Sequence, residues 1–118
     1  MNINRYITSV LSGLEIPVCE GLYQGKSTEY IYWVLADDRG GDFGEDEPLS
    51  DLTSVQVYYV CPWDRKYSDM KNTIRNLLKD SGFTYPRVID LSDVKERTRR
   101  ICFECEIESD EYEEVSDG

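Results

Sequence analysis

Glu29-Tyr30-Ile31-Tyr32-Trp33-Val34-Leu35-Ala36, answered further on by Val55-Gln56-Val57-Tyr58-Tyr59-Val60-Cys61, decides the architecture of this chain. Successive side chains on a strand point to opposite sides, so Ile31, Trp33 and Leu35 face one way while Tyr30, Tyr32 and Val34 face the other. Both sides are apolar and both require burial. Only two amphipathic helices can be read elsewhere, enough to cover one side of a sheet, so the other side is expected to meet a further surface. That expectation points to assembly rather than catalysis.

Working outward, Ile3, Tyr6, Ile7, Val10, Leu11 and Leu14 form one helical stripe, with Asn2 placed to cap its start and Gly13 and Pro17 bracketing its end. Residues 18–23 read as a short strand that turns through Gln24-Gly25-Lys26-Ser27 and returns as strand 29–36, a hairpin. Segment 37–53 reads as a long acidic loop carrying Gly40, Gly41 and Gly44, joining the second strand to the third. After Pro62, Asp64 or Ser68 is positioned to cap a helix whose apolar stripe is Tyr67, Met70, Ile74, Leu77 and Leu78. Gly82 suits the left-handed position beyond its end, with Phe83 folding back onto the last turn. A fourth strand is expected over about 84–91 and a fifth over about 98–108, where Ile101, Phe103, Cys105 and Ile107 alternate with Arg100, Cys102, Glu104, Glu106 and Glu108. The order α-β-β-β-α-β-β predicts a single α+β domain, residues 1–108, with a mostly antiparallel sheet of about five strands and two amphipathic helices. Residues 109–118 read as an acidic, disordered tail.

The 118 residues suit one domain and one core. The longest apolar stretch, 30–36, is far below the roughly 20 residues that span a bilayer, so no membrane partner is expected. Glu15 and Pro17 interrupt the N-terminal apolar run before a leader could develop, which makes Cys19, Cys61, Cys102 and Cys105 free thiols of a reducing compartment. The net charge of −11 is uneven: residues 37–51 hold seven acids against Arg39, residues 104–118 hold eight acids and no base, and the remainder has nine acids against twelve bases. Such acidic segments repel phosphate backbones and attract basic protein surfaces.

With no histidine, the chain lacks the commonest general base and the partner of most Ser and Cys nucleophiles. No glycine-rich phosphate cradle follows a strand. Cys102 and Cys105 have CxxC spacing but fall on opposite faces of an alternating strand, without the turn a zinc knuckle needs. The acids of 37–47 miss the EF-hand pattern, because Arg39 and Gly41 stand where oxygen ligands belong. Neither catalytic residues nor metal or cofactor sites are expected, and the chain reads as a non-enzyme. The clusters Lys95, Arg97, Arg99, Arg100 and Arg65, Lys66, Lys71, Arg75 lack interleaved aromatics at their own spacing. They read as partners for acidic segments, this chain's own or a neighbouring subunit's, instead of sequence-specific nucleic-acid contacts. The nine tyrosines suit core and interface use.

Taken together, these segments resemble the tail terminator and tail completion proteins of long-tailed bacteriophages and prophages. The resemblance covers residues 1–108. It runs through Ile16-Pro17-Val18, Tyr23-Gln24-Gly25 leading into Tyr30-Ile31-Tyr32-Trp33, the acidic loop after it, and Val55-Gln56-Val57-Tyr58-Tyr59. It continues in Lys66-Tyr67-Ser68-Asp69-Met70, Ser81-Gly82-Phe83 and Arg99-Arg100-Ile101-Cys102-Phe103-Glu104. It implies a non-enzymatic virion assembly subunit, made in the host cytoplasm. Such subunits form a ring, typically a hexamer, that caps the tail tube and offers a surface to the head connector. The implied partners are other copies of the chain, the major tail tube protein and the head connector protein. The implied interface comprises Asp37, Asp38, Asp42, Phe43, Glu45, Asp46 and Glu47 of the acidic loop, with Tyr30, Tyr32 and Tyr58 of the doubly apolar strands. A negative ring lumen would let DNA slide without sticking, which the acidic segments suit. The extension 109–118 is not explained by the resemblance. Two other readings share the charge pattern: another head–tail connector or minor capsid adaptor, and an acidic DNA-mimic inhibitor, which would spread its acids along regular elements at phosphate-like spacing.

Overall fold

The computed structural model describes residues 2–40 and 51–113. Its elements are α1 (Ile3–Ser12), β1 (Val18–Glu20), β2 (Tyr30–Gly40), β3 (Asp51–Pro62), α2 (Ser68–Asp80), β4 (Arg87–Asp90), β5 (Thr98–Glu108) and α3 (Asp110–Glu113). The five strands form one sheet in the order β1-β2-β3-β5-β4, antiparallel except where β1 meets β2. The α+β class and the element order agree with the sequence reading, and α3 is added at the end.

Local chemistry accounts for the helices. The Asn2 side chain accepts the Arg5 amide at 2.9 Å, a cap that stabilises α1 by about 1 kcal/mol. Its buried residues Ile7 and Leu11 lie in the same core as Ile74 and Leu78 of α2. The start of α2 differs from expectation. Neither Asp64 nor Ser68 caps it: Tyr67 is the N-cap without a side-chain bond, and Ser68 is already helical. The end of α2 follows expectation, with Gly82 at φ 95° and the Phe83 amide donating to the Leu78 carbonyl at 3.1 Å.

Helices and sheet meet on one face only. Ile31, Trp33, Val55, Val57, Tyr59, Ile101, Phe103, Cys105 and Ile107 share the core with Ile7, Leu11, Ile74 and Leu78. The register aligns them in rows across the strands, such as Trp33 with Val57 and Val57 with Phe103.

Three expectations need correction. The first is the hairpin: β1 runs parallel to β2, with Val18 opposite Ile31 and Glu20 opposite Trp33. Gly21, at φ 73°, turns the chain out of the sheet while its amide still donates to the Trp33 carbonyl at 2.8 Å. A strand of three residues is only about 10 Å long, so residues 21–29 suffice to bring the chain back to the starting edge. The second is the extent of the acidic loop. β2 continues to Gly40 and β3 begins at Asp51, so 37–40 and 51–53 are strand, with a register shift between Leu35 and Asp37. The third is the tail. Ser109 is buried, α3 follows, and Tyr112 is 5 % exposed against the core, where its ring lies 5.9 Å from that of Tyr6. A lone aromatic among carboxylates therefore anchors residues 109–113, because Tyr6 and Phe83 leave an apolar seat for it. Residues 114–118 lie outside the described residues.

Candidate functional site

The second face of the sheet carries the candidate site. Register places Cys19, Tyr32, Tyr58, Cys102 and Ile89 in one row across all five strands. Tyr30, Val60 and Arg100 make the row on one side of it, and Val34, Gln56, Glu104 and Arg87 the row on the other. Because β strands alternate, every one of these residues points away from the helix-covered core. Among the described residues, the three helices belong to the other face, and this one is shielded by its own aromatic rings.

Those rings form a ladder. Tyr32 and Tyr58 stack at 4.5 Å with their planes 8° apart, Tyr30 lies 6.3 Å from Tyr32, and Tyr23 stacks on Tyr30 at 4.1 Å. Stacked pairs of this kind contribute about 0.5–1.5 kcal/mol each beyond area burial. The Arg100 guanidinium sits 5.9 Å from the Tyr32 ring centre. Tyr23 reaches the ladder from the 21–29 connection and is held there by the Ser27 amide, which donates to its hydroxyl at 3.0 Å. Gly25 lets it lie this close, since an added Cβ would overlap the Tyr23 hydroxyl and the ring edge beside it. Polar bonds tie the neighbouring row: the Tyr58 hydroxyl donates to Gln56 Oε1 at 3.0 Å, and Gln56 Nε2 donates to Glu104 Oε2 at 3.0 Å.

The face is neutral at its centre. Burial pushes the Tyr58 phenol up to about 12, with Cys102, Tyr32 and Glu104 adding to the effect. Burial also raises Tyr32, against the opposing charge of Arg100, and it raises the Cys102 thiol, which lies beside the Tyr58 hydroxyl. At neutral pH, uncharged phenols and thiols are thus flanked by Arg100 on one side and Glu104 with Arg87 on the other. Such a surface can bury apolar area and donate hydrogen bonds to a partner. It offers no activated nucleophile.

Of the residues expected at an interface, Tyr30, Tyr32 and Tyr58 come together here. Asp37 and Asp38 lie in β2 opposite Ser54 and Thr53, one end of the sheet away from the ladder's centre. Asp42, Phe43, Glu45, Asp46 and Glu47 fall outside the described residues. Sequence reasoning missed Tyr23, which closed the first strand of an assumed hairpin, Cys102 and Arg100, which sat on the face of the fifth strand read as wet, and Ile89, on a fourth strand whose faces were not assigned. Only the register reveals them. Cys102 and Cys105 do fall on opposite faces, in the tyrosine row and the core respectively.

A second feature lies at the end of the sheet where β3 passes into α2. The Arg99 guanidinium is held between the rings of Trp63 and Tyr67, 4.5 and 4.9 Å from their centres, and its Nε donates to the Trp63 carbonyl at 2.7 Å. Arg65 pairs there with Glu29 at 3.4 Å, and Glu29 also accepts the Tyr59 hydroxyl. Among the described residues, no group of His, Cys, Asp and Glu is arranged to hold a metal ion, and no helix is long and apolar enough to cross a membrane. No protein-family model matches this chain, and no curated protein matches it either.

Proposed function

We propose that this chain is a structural subunit of virion assembly, a tail terminator or completion protein that closes the head-proximal end of a phage tail tube in a ring of like subunits and joins it to the head connector. The observation that carries this reading is the tyrosine face: a row crossing all five strands, Cys19, Tyr32, Tyr58, Cys102 and Ile89, that none of the three helices covers. Sheet faces of this composition serve as contact surfaces, since tyrosine supplies broad, stiff, amphipathic area at little entropic cost. The α+β class and the order of elements, two long helices on one side of a five-stranded sheet, are those read from the sequence patterning.

The test is to sediment the purified chain alone and with purified tail-tube protein. The expected result is a ring-sized species, formed or stabilised when the tube protein is present. Tyr32→Asp with Tyr58→Asp should abolish that species while far-UV circular dichroism stays unchanged, because both side chains point away from the core. A chain that stays a single subunit in both mixtures would overturn the reading.

A further inference from the structure

The end of the sheet where β3 passes into α2 carries a charge opposite to that of the whole chain. Residues 62–71 and 95–100 hold seven bases against three acids in a molecule of net charge −11, so this end draws anions that the molecule as a whole repels. Two clefts meet here at Trp63. The first, of about 460 Å³, is lined by Trp63, Arg65, Lys66, Tyr67, Lys71 and Arg99, and Ser68 beside them brings in the positive end of α2. The second, of about 520 Å³, is lined by Pro62, Trp63, Val94 and Arg97. Asp64 lines both. The first cleft is therefore cationic, and the second is largely apolar.

Both are set before any ligand arrives. Arg99 is fixed by two rings and the Trp63 carbonyl, so its charge is presented without a further ordering cost. Val94 and Arg97 belong to one tight turn, in which the Arg97 amide donates to the Val94 carbonyl at 3.1 Å and the Arg97 carbonyl accepts the Trp63 amide at 2.9 Å. Arg97 stands there at φ 54°, a conformation that costs a residue other than glycine. That turn holds Val94 in the cleft wall with Trp63, yet leaves its aliphatic side chain 69 % exposed.

Such a surface suits a peptide with carboxylates on either side of one apolar residue. The acidic runs of β5 and α3 in a second copy do not offer that combination: Cys105 and Ile107, which alternate with Glu104, Glu106 and Glu108, are buried in the core, and so is Tyr112 among the acids of α3. A nucleic acid fits less well. The faces of Trp63 and Tyr67 that flank Arg99 are taken by its guanidinium, and a long phosphate backbone would run on over a negatively charged molecule.

We propose that the Trp63 end is a docking site for an acidic segment of a different protein. Its apolar residue sits on Pro62, Trp63 and Val94, and its carboxylates reach Arg97 on one side and Lys66, Lys71 and Arg99 on the other. The site is separate from the tyrosine face and does not depend on the assembly reading.

Titration of the whole chain with a short dye-labelled peptide of Asp and Glu around one central Leu tests it. Fluorescence anisotropy should show saturable binding that weakens about tenfold or more as salt rises from about 0.1 M to about 1 M, where the Debye length falls from about 10 Å to about 3 Å. Ser in place of the Leu of the peptide should weaken binding about tenfold. On the protein, Lys66→Gln with Arg97→Gln should weaken it about tenfold, whereas Asp64→Asn should tighten it about threefold, and all three side chains are exposed, so folding is kept. Arg5→Gln, which removes an exposed charge from α1, should leave it unchanged. Trp63 is half-buried and the other tryptophan, Trp33, is fully enclosed, so binding should shift the emission of Trp63, and Trp63→Phe should abolish the shift. No binding of the peptide, binding without that shift, or binding indifferent to the Asp64 and Lys66–Arg97 variants would overturn the proposal. Tighter binding of an oligothymidylate of equal charge would overturn it in favour of nucleic acid. Self-association that the peptide competes away would overturn it in favour of a second copy.

Discussion

On one face of the sheet Trp33, Val57 and Phe103 are wholly withdrawn from solvent beneath α1 and α2, whereas on the other Tyr32 and Tyr58 are half-buried and shield one another. Both faces are built from the same strands, but the first is almost wholly apolar while the second sets its tyrosines among Arg100, Gln56, Glu104 and Arg87. The covering differs too: aliphatic side chains of α1 and α2 interlock with the first face, and the second has its own rings, beside which Val60 and Cys102 are buried. Aliphatic residues reach full burial only against a partner, while tyrosine tolerates a half-wet position, stacking its ring and keeping its hydroxyl bonded. The residue types on each face therefore already encode how completely that face is covered within one copy.

The sharpest way to break this contrast is to remove one ring from each face. Phe103→Ala should destabilise by about 4 kcal/mol, since a fully enclosed ring leaves a cavity that the surrounding strands and helices cannot close. Tyr112→Ala should cost about 3 kcal/mol, because its ring, though it comes from the acidic end of the chain, fills the seat beside Tyr6 on the covered face. Tyr32→Ala should cost only about 1.5 kcal/mol, the loss of its stacking on Tyr58 and its tilted contact with Tyr30. Urea titration of the three variants measures the order. A Tyr32 variant as damaged as the Phe103 one would mean that the tyrosine face is a second core, and the distinction between the faces would collapse.

How much of this was legible in the sequence follows from how local each signal is. The stripe of α1, its Asn2 cap, the Gly82 turn and the alternation of β5 are written within a few residues, and all of them appear where the sequence puts them. The parallel pairing of β1 was not legible. A Gln-Gly-Lys-Ser stretch between two short apolar runs reads as a hairpin unless it is known that Gly21 leaves the sheet first and that Tyr23 comes to rest on Tyr30. The same holds for α3, which is anchored by an aromatic contact with residues near the start of the chain and after α2. Of the tyrosine face, Tyr30, Tyr32 and Tyr58 were legible because both sides of their strands read as apolar. Cys102 and Ile89 were not, since membership of a row is a property of register, and register depends on partners far away in sequence.

The smallest expected effect sharpens the comparison most, because it reads the wetness of the open face directly. The Tyr58 phenol is raised by burial to about 12, against about 10 in an unfolded chain. A group that holds its proton longer when folded contributes stability that is complete below about pH 10 and is lost as the pH climbs through about 12. Tyr59, on the covered face, is displaced in the same direction by burial and by its hydrogen bond to Glu29, so the unaltered chain should lose stability across this window from both faces. Tyr58→Phe removes the share of Tyr58 alone, leaving those of Tyr32 and Cys102 on the same face, and the slope of stability against pH should flatten without vanishing. A partner seated on the tyrosines would withdraw Tyr58 further from water and move its share of the loss to higher pH. The difference between the two slopes, measured by urea titration from about pH 9 upward with and without that partner, therefore reports whether the open face is the one that becomes covered. An unchanged slope in Tyr58→Phe would show that the ladder is too wet to shift its own titration, and that the two faces differ more than their residue types suggest.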